Sequence, residues 1–484
     1  MNTAFFQFAA SPIHQCALFE LLHEESLRKN SSFVFLFGKK TYFPTRMSGN
    51  FQTFITVAPI QTLKFIKKSD ANAQVSFDVR FNREWVEAQH SILKSQLSDA
   101  KTLADLQTLE AKGVKPGSAI ANEVVTLIQD RNLSITKNYT LILKMIRSYL
   151  EIYSATQIEI IENRIDKVLL FNGRFLHERA VWDASKELGT EILLFETTRN
   201  RLHVRKLGFH NRDNNQKLVI EHWKNSEETL ESKIFESNLW FEDMNGKSNP
   251  FFTSIKVQSI SDKPYLVYFS NSDDEAVGFW ESWSENLGKQ IDCVKRLQEI
   301  IAKQNKYNLV IRLHPNLLNK TVNEIDSWLD LPEKPNSMVI EPSEKISSYE
   351  LLEKSIGVIT FGSTMGIQAA HALKPVLVLA DCKYDELGIA DKATSWDFVS
   401  NWIDDLEDFP MRKLQSRKDN SYAFGYFVRT GGQAFKYGEL FEKGWGSWGV
   451  RNFLGLNYRE YKLLGKLRIL KLKVKMLVAL RTNL

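Results

Sequence analysis

The chain has 484 residues and a formal net charge of +5 at pH 7, with 43% hydrophobic and 25% charged residues. This length predicts two domains of roughly 200 residues each, and the globular composition excludes extensive disorder. The three cysteines, Cys16, Cys293 and Cys382, lack metal-ligand spacing, and the first residues lack the basic region of a signal peptide. We therefore expect a reduced, cytoplasmic protein without a transmembrane helix, and the modest charge leads us to expect no nucleic-acid partner.

Apolar runs and helical patterns alternate in the N-terminal half of the sequence. The pattern predicts strands over residues 3–10, 32–37, 167–171 and 191–195, and helices over residues 15–29 and 174–188. Residues 84–153 are polar with a helical pattern, which predicts a helical insertion. Alternation of this kind is typical of a parallel sheet with helices on its faces.

The alternation weakens over residues 199–263, which predicts the join between two domains, and then returns. It predicts strands over residues 265–269, 308–313, 338–340, 357–361 and 375–379, and helices over residues 283–304, 347–353 and 364–373. The sequence thus predicts an α/β protein of two doubly wound, Rossmann-like domains that face each other across a cleft. Their predicted bounds are 1–255 and 256–430, with a helical segment over 431–484.

Ligands of doubly wound sheets bind at the carboxyl ends of the strands, and polar loops follow four predicted strands of the second half. These loops begin with Ser270, with His314-Pro315-Asn316, with Glu341 and with Gly362-Ser363-Thr364. Glycine lets a ligand approach the backbone, hydroxyls and an imidazole donate hydrogen bonds, and a helix N-terminus favours an anion. The loops therefore predict a phosphate site. As alternatives, Ser363 only caps the next helix, His314 is structural, or Glu341 is a solvated turn residue.

The order VIRLHPN, then SSYELLEKSIGVITFGSTMGIQAAHALKPVLVL, resembles the nucleotide-sugar-binding half of GT-B glycosyltransferases. The likeness is greatest to the bacterial capsule-polysaccharide biosynthesis group, which includes Kdo transferases. That group has a His-Pro motif and a downstream Ser/Thr motif, which correspond to His314-Pro315 and Ser363-Thr364. The resemblance implies a metal-independent glycosyltransferase that binds its donor in the C-terminal half and its acceptor in the N-terminal half.

Upstream, the run VLLFNGRFLHERAVWDASKELGTEILLFETT resembles the N-terminal segment of the same group, in which a loop precedes a helix and a strand ends in a glutamate. In this likeness, Asn172 and Arg174 correspond to the residues of the loop, and Glu196 corresponds to the glutamate at the end of the strand. In the group a glycine usually follows the glutamate, whereas two threonines follow Glu196 here. Arg174 could hold an anionic sugar or acceptor, or it could simply pair with Glu178 one helical turn on.

The resemblance implies roles for these residues and no cofactor besides the donor, which is a substrate. Together with the strand-end loops, it predicts donor contacts for Ser270, His314, Pro315, Asn316, Glu341, Gly362, Ser363 and Thr364, and substrate contacts for Asn172 and Arg174. The transfer also needs a group that accepts the proton of the acceptor hydroxyl. Glu196 is our first candidate, followed by His14 and Asp273; a solvated or capping role is the alternative for each.

The favoured interpretation is transfer of a sugar from CMP-Kdo, or a similar acidic donor, to a growing capsule or lipopolysaccharide glycan. One alternative is a polyol-phosphate transferase of the teichoic-acid type with a CDP-activated donor. Another is a transferase that uses UDP- or GDP-sugars. A third, from a different class, is a binding module without activity that recruits polysaccharide machinery to the membrane.

The C-terminal run YREYKLLGKLRILKLKVKMLVALRTNL has eight basic residues and no acidic residue after Glu460. Leucines and valines recur in it at helical spacing, which predicts a basic amphipathic helix. Such a helix binds an anionic membrane surface, so we expect a protein peripheral to the inner face of the cytoplasmic membrane. The alternative is a final helix packed on the N-terminal domain.

Overall fold

The computed structural model describes most of the chain, and the following sections concern only the described residues. These are residues 1–8, 12–36, 62, 65–67, 69, 71–76, 79–128, 130, 133–198, 201–205, 212–245, 263–271, 287–315, 317, 327–332, 334–344, 346–436, 439–442 and 448–451. They form two compact units. The first comprises Met1–Leu127, Asn132–Phe209 and Gly432–Leu484, and the second comprises Ile128–Arg131 and His210–Gly431.

Strands and helices alternate through both units. The strands are β1 (Asn2–Gln7), β2 (Ser31–Leu36), β3 (Ala73–Ser76), β4 (Lys167–Phe171), β5 (Glu191–Thr198), β6 (Arg201–Arg205), β7 (Tyr265–Phe269), β8 (Asn308–Arg312), β9 (Ser337–Ile340), β10 (Gly357–Thr360), β11 (Val376–Val378), β12 (Asp391–Lys392), β13 (Gln433–Ala434), β14 (Glu439–Glu442) and β15 (Trp448–Arg451). The helices are α1 (Pro12–Leu27), α2 (Arg83–Asp99), α3 (Leu103–Gln107), α4 (Gly117–Ile128), α5 (Tyr139–Glu162), α6 (Leu176–Glu187), α7 (Arg212–Asn225), α8 (Leu230–Asn245), α9 (Gln290–Gln304), α10 (Ser348–Lys354), α11 (Met365–His371), α12 (Trp396–Asp404) and α13 (Met411–Thr430).

The sheet of the first unit has the order β13-β6-β5-β4-β1-β2-β3. Its strands from β5 to β3 are parallel, whereas β6 and β13 run antiparallel to their neighbours. The four strands that the sequence predicts for this half are present, and the predicted polar insertion contains the helices α2 to α5. The short strands β3, β6 and β13 were not predicted.

The sheet of the second unit has the order β9-β8-β7-β10-β11-β12, and all of its strands are parallel. In chain order within the unit this is 3-2-1-4-5-6, the order of doubly wound dinucleotide-binding sheets. Alternate side chains enter different clusters: Leu266, Tyr268 and Leu309 on one face, and Val267, Phe269 and Val310 on the other. Because both faces are covered, the strands are continuous apolar runs. The predicted α/β class with two parallel sheets is confirmed.

Residues 212–245 form α7 and α8 and belong to the second unit, although the predicted boundary assigns them to the first domain. Trp240 and Phe241 of α8 are buried, and the Trp240 ring lies 5.7 Å from the ring of Phe424 on α13. These aromatic contacts attach α8 to the second unit. The helices are otherwise polar, which is why the sequence pattern is weak here.

A buried ion pair joins α1 to two central strands at the amino edge of the first sheet. The Lys167 ammonium of β4 lies 2.9 Å from Glu25 Oε2, and both side chains are buried. The hydroxyl of Thr3 on β1 and the side-chain amide of Asn30 donate to the same carboxylate oxygen, each at 2.8 Å. Burial alone would raise the pKa of Glu25, but the hydrogen bonds from Lys167, Asn30 and Thr3 hold it below its ordinary value.

The predicted helical segment over 431–484 is wrong where its residues are described, because β13, β14 and β15 lie there. The predicted basic helix farther on lies outside the described residues and stays a prediction. The same holds for the predicted site residues Asp273 and Asn316. Within the described ranges, none of the helices combines the length and the apolar character that a membrane crossing requires.

Candidate functional site

The loop after β4 in the first unit brings two of the predicted residues together. Asn172 and Gly173 have positive φ angles of 55° and 82°, so the chain turns sharply at the end of the strand. The Asn172 side-chain amide donates to the Glu196 carboxylate, and its Oδ1 accepts from the Arg174 N–H at 3.3 Å. Asn172 thus fixes both the turn and the orientation of Glu196.

Glu196 lies within β5, which extends three residues beyond the predicted strand 191–195. The parallel pairing of β5 with β4 ends at Phe195, and the strand then continues to Thr198 as one arm of an antiparallel pair with β6, in which Glu196 lies opposite His203. Two β-branched threonines in place of the usual glycine favour this extension. Glu196 therefore still lies at the carboxyl edge of the parallel part of the sheet.

Arg174 is held through its backbone by α4 and lies over an aromatic ring. Its carbonyl accepts from the Asn122 side-chain amide at 3.1 Å, and its guanidinium carbon lies 4.8 Å from the centre of the Phe175 ring. Burial, with a further contribution from Glu123, raises the pKa of Glu178 to about 8. Glu178 is then mostly protonated at pH 7, and its pairing with Arg174 stays an alternative.

His14 lies near the start of α1, beside the end of β4. Its ring centre lies 4.0 Å from that of Phe171, and burial lowers its pKa to about 4. The imidazole is therefore neutral at pH 7, but it is a weak base. A neutral imidazole can still accept a proton, so His14 stays a candidate proton acceptor beside Glu196.

In the second unit, Ser270 connects the ends of β7 and β8. Ser270 is buried, its N–H donates to the Arg312 carbonyl at 3.1 Å, and its hydroxyl oxygen accepts from the His314 N–H at 2.8 Å. The Leu317 N–H closes a turn onto the His314 carbonyl at 2.9 Å, with Pro315 inside the turn. Ser270 thus fixes the backbone of the His-Pro loop.

Arg312, the last residue of β8, holds the loop that contains Glu341. Its guanidinium donates to the carbonyl of Glu341 and, at 3.1 Å, to the carbonyl of Glu344. Burial lowers the pKa of Arg312 from its ordinary value. The Glu341 side chain itself is exposed, and its N–H donates to Glu344 Oε1 at 2.7 Å. Arg312 therefore joins the ends of β8 and β9.

The Gly-Ser-Thr turn after β10 is organised by the buried hydroxyl of Thr360. This hydroxyl donates to the Phe269 carbonyl at 3.0 Å and accepts from the N–H groups of Gly362 and Ser363 at 3.3 and 2.9 Å. Gly362 has a φ of +119°, which requires glycine. These two N–H groups therefore donate within the turn.

The helix after this turn contributes less to anion binding than the sequence predicts. α11 has only seven residues, so few peptide dipoles add up along it. Its N-cap is Thr364, whose side chain makes no capping hydrogen bond, while Ser363 Oγ accepts from the Met365 N–H at a long 3.4 Å. The side chains of Ser363 and Thr364, more than the helix end, are thus the groups that remain for a ligand.

Polar residues at four adjacent strand ends therefore share one edge of the second sheet: Ser270 after β7, His314 after β8, Glu341 after β9, and Gly362 to Thr364 after β10. Residues 256–410 match the model of the capsule polysaccharide biosynthesis protein family. The match includes all of these strand ends and confirms the predicted resemblance over this part of the sequence. It covers less than half of the chain.

The solved structures that this chain matches have low sequence identity to it. KpsC of Thermosulfurimonas dismutans, a beta Kdo 2,4 transferase, is 12% identical over 55% of this chain and 85% of its own, with a TM-score of 0.37. The S. aureus MnaA structure with UDP is 14% identical over 88% of this chain and 93% of its own, with a TM-score of 0.33. No curated protein matches the sequence of this chain.

Sequence reasoning missed the residues that hold the strand ends together. Arg312 and Thr360 are polar residues at the last position of otherwise apolar strands, a signal that the sequence contains. Their partners are distant in sequence and could not be predicted from local pattern. No group of three or more His, Cys, Asp or Glu side chains is arranged to hold a metal ion in the described part of the chain.

Proposed function

We propose that the chain is a glycosyltransferase that moves a sugar from a nucleotide-activated donor to a growing bacterial surface glycan. The observation that carries this proposal is the convergence of Ser270, His314 and the Gly362–Thr364 turn at the carboxyl edge of a 3-2-1-4-5-6 sheet. This is the edge at which such sheets bind nucleotides. The family match over residues 256–410 supports a role in capsule polysaccharide synthesis.

Protein donors replace a bound metal in the proposed reaction. As the bond between the anomeric carbon and the phosphate oxygen breaks, its electron pair leaves with the nucleotide. The His314 imidazole and the hydroxyls of Ser363 and Thr364 stabilise the resulting negative charge. Ser270 and Thr360 keep these groups in place without reorganisation during the reaction.

The acceptor hydroxyl forms the new bond to the anomeric carbon and gives up its proton. We assign Glu196 of the first unit as the group that receives this proton, with Asn172 holding its carboxylate in one orientation. Arg174, whose planar guanidinium suits a carboxylate, is assigned to an anionic sugar or acceptor.

The donor that we favour is CMP-Kdo or a similar acidic sugar, because the His-Pro and Ser/Thr motifs most resemble those of enzymes that use CMP-activated acidic sugars. The test is incubation of the purified chain with CMP-Kdo and a capsule oligosaccharide, followed by mass spectrometry of the glycan. A mass increase of one Kdo residue together with CMP release is expected. If the chain transfers a sugar only from UDP- or GDP-sugars, or transfers polyol phosphate from a CDP donor, the assignment of CMP-Kdo as the donor is wrong.

Glu196→Gln should slow transfer by about 10²- to 10⁴-fold, because the amide cannot accept the proton of the acceptor. Nucleotide affinity should stay unchanged, since the donor contacts lie in the second unit. The matched control is Glu191→Gln, an exposed carboxylate at the amino end of the same strand. Equal transfer rates in the two variants, measured at saturating donor, would remove Glu196 from the mechanism.

Truncation after Asn457 should leave the melting temperature unchanged and abolish sedimentation with anionic liposomes. Each basic residue near an anionic surface contributes about 1 kcal/mol, and the apolar face adds burial that salt does not screen. Binding of the intact chain should thus weaken, but not vanish, as ionic strength rises. Neutral liposomes are the control.

The opposite result would identify a structural tail. If the C-terminal run packs on the first unit, its removal exposes an apolar surface and lowers the melting temperature or causes aggregation. The membrane assignment would be contradicted if the truncated protein has a lower melting temperature than the intact protein and the intact protein does not sediment with anionic liposomes.

A further inference from the structure

Tyr384, in the loop after β11, contacts the Gly-Ser-Thr turn. It is fully buried, and its hydroxyl donates to the Ser363 carbonyl at 2.7 Å. A Cβ atom at Gly366 would lie only 2.2 Å from the Tyr384 hydroxyl oxygen. Glycine at this position of α11 is therefore what admits the hydroxyl to the Ser363 carbonyl.

The loop that carries Tyr384 is anchored on both sides. The Lys392 ammonium of β12 lies 2.9 Å from Asp385 Oδ2, and the Gln216 amide of α7 donates to Asp385 Oδ1 at 3.2 Å. The Gln216 side-chain oxygen also accepts from the Glu386 N–H at 2.7 Å. With its neighbours fixed by two other elements, Tyr384 is a rigid support for the turn.

The Tyr384 hydroxyl is also a permanent donor. Burial, followed by the neighbouring Cys382 and Asp385, raises the pKa of Tyr384 well above its ordinary value, so the hydroxyl keeps its proton throughout the neutral range. The Ser363 carbonyl additionally accepts from the Gly366 N–H at 3.0 Å. The carbonyl side of the turn is thus fixed by Tyr384 and Gly366, and its amide side by Thr360.

We propose that Tyr384 is a positioning residue for the donor site: by fixing the Ser363 carbonyl, it sets the directions in which Ser363 and Thr364 present their hydroxyls to the nucleotide phosphate. This inference rests on the proposed function, because it assumes that the turn contacts a nucleotide. Tyr384 itself is buried beneath the turn and acts only through it.

The test compares Tyr384→Phe with Tyr265→Phe. Tyr265 is also buried and its hydroxyl also donates to a carbonyl, that of Leu351 at 3.0 Å, but it begins β7 at the opposite edge of the same sheet. Calorimetry with CMP, CDP, UDP and GDP gives the Kd, and scanning without nucleotide gives the melting temperature. Both variants should lose a similar, small amount of thermal stability, since each loses one buried hydrogen bond.

Only Tyr384→Phe should weaken binding of the nucleotide that the wild type binds, by about three- to tenfold, the usual range for one lost hydrogen bond. Equal Kd values in the two phenylalanine variants would overturn the inference. A Ser363→Ala, Thr364→Ala variant separates this outcome from failure of the proposed function. If that variant weakens binding while Tyr384→Phe does not, only the positioning role is wrong; if the wild type binds none of the four nucleotides, the proposed function is wrong and the inference with it.

A second variant tests the same contact from the other side. Gly366→Ala should lower both the melting temperature and the nucleotide affinity, because the new methyl group displaces the Tyr384 hydroxyl. Adding Tyr384→Phe removes the oxygen but leaves the ring carbon Cζ 3.0 Å from the new Cβ, so the double variant should recover only part of the melting temperature of Gly366→Ala and none of its lost affinity. Recovery of both properties would show that Tyr384 only fills space, and would overturn the proposal.

Discussion

His314→Ala is expected to slow sugar transfer by about 10²- to 10³-fold, and so is the double change Ser363→Ala, Thr364→Ala. Each variant removes donors that we assign to the leaving phosphate, whose charge grows as the glycosidic bond breaks. The framework of the site should survive, because His314 is held through its own N–H by Ser270, and the turn is held by Thr360. Nucleotide affinity should also fall, which calorimetry measures separately from the rate.

Ser395→Ala is the control for an effect on stability alone. Ser395 caps α12 in the same unit, where its hydroxyl oxygen accepts from the Phe398 N–H at 3.1 Å. Its loss should cost about 1 kcal/mol of stability and leave transfer unaffected. Wild-type transfer in both site variants would mean that Ser363 and His314 have only structural roles, as the sequence alone allows.

Lys167→Met is expected to lower the free energy of unfolding of the first unit by about 3–5 kcal/mol, because it leaves the Glu25 carboxylate buried without its cation. Arg28→Ala removes the other cation near Glu25, but Arg28 is 61% exposed, so this change should cost less than about 1 kcal/mol. Urea unfolding followed by circular dichroism measures both. If Lys167→Met and Arg28→Ala lower the free energy of unfolding by similar amounts, burial does not make the pair of Lys167 with Glu25 stronger than an exposed ion pair.

The effect of Lys167→Met should also depend on pH. Because the folded-state pKa of Glu25 lies below its ordinary value of 4.5, the stabilisation is complete above 4.5 and is lost as the pH falls through the folded-state pKa. The difference between wild type and variant should thus be large at about pH 7 and smaller at about pH 4. If the difference in unfolding free energy is the same at pH 7 and pH 4, ionisation of Glu25 is not its cause.

Strands and helices with a strong local pattern could be predicted from the sequence, whereas contacts between distant residues could not. The runs that became β1, β4, β7 and β8 are covered on both faces, so apolar residues follow one another in them without alternation and give a strong signal. In contrast, the two-residue strand β13 pairs with β6 across more than two hundred residues of chain, and nothing in its two residues indicates this. The continuation of β5 beyond Glu196 depends on its antiparallel pairing with β6, which the local pattern also does not indicate.

The candidate site was partly predictable for a related reason. The His-Pro and Gly-Ser-Thr runs stand out because they interrupt apolar strands at their carboxyl ends, where parallel sheets bind ligands. The side chains that arrange them are less visible: Thr360 contacts Phe269 and Tyr384 contacts Ser363, at separations of 91 and 21 residues. Such partners follow only from the order of the strands in the sheet, which the local pattern does not determine.

The most direct test of a nucleotide-sugar site in the second unit is a thermal-shift titration of the intact chain with CMP, CDP, UDP and GDP. A nucleotide that binds only the folded protein raises its melting temperature in proportion to the logarithm of its concentration above Kd. We predict such a rise with CMP, and a smaller one in the Ser363→Ala, Thr364→Ala variant at the same concentrations. An unchanged melting temperature with all four nucleotides would contradict the account.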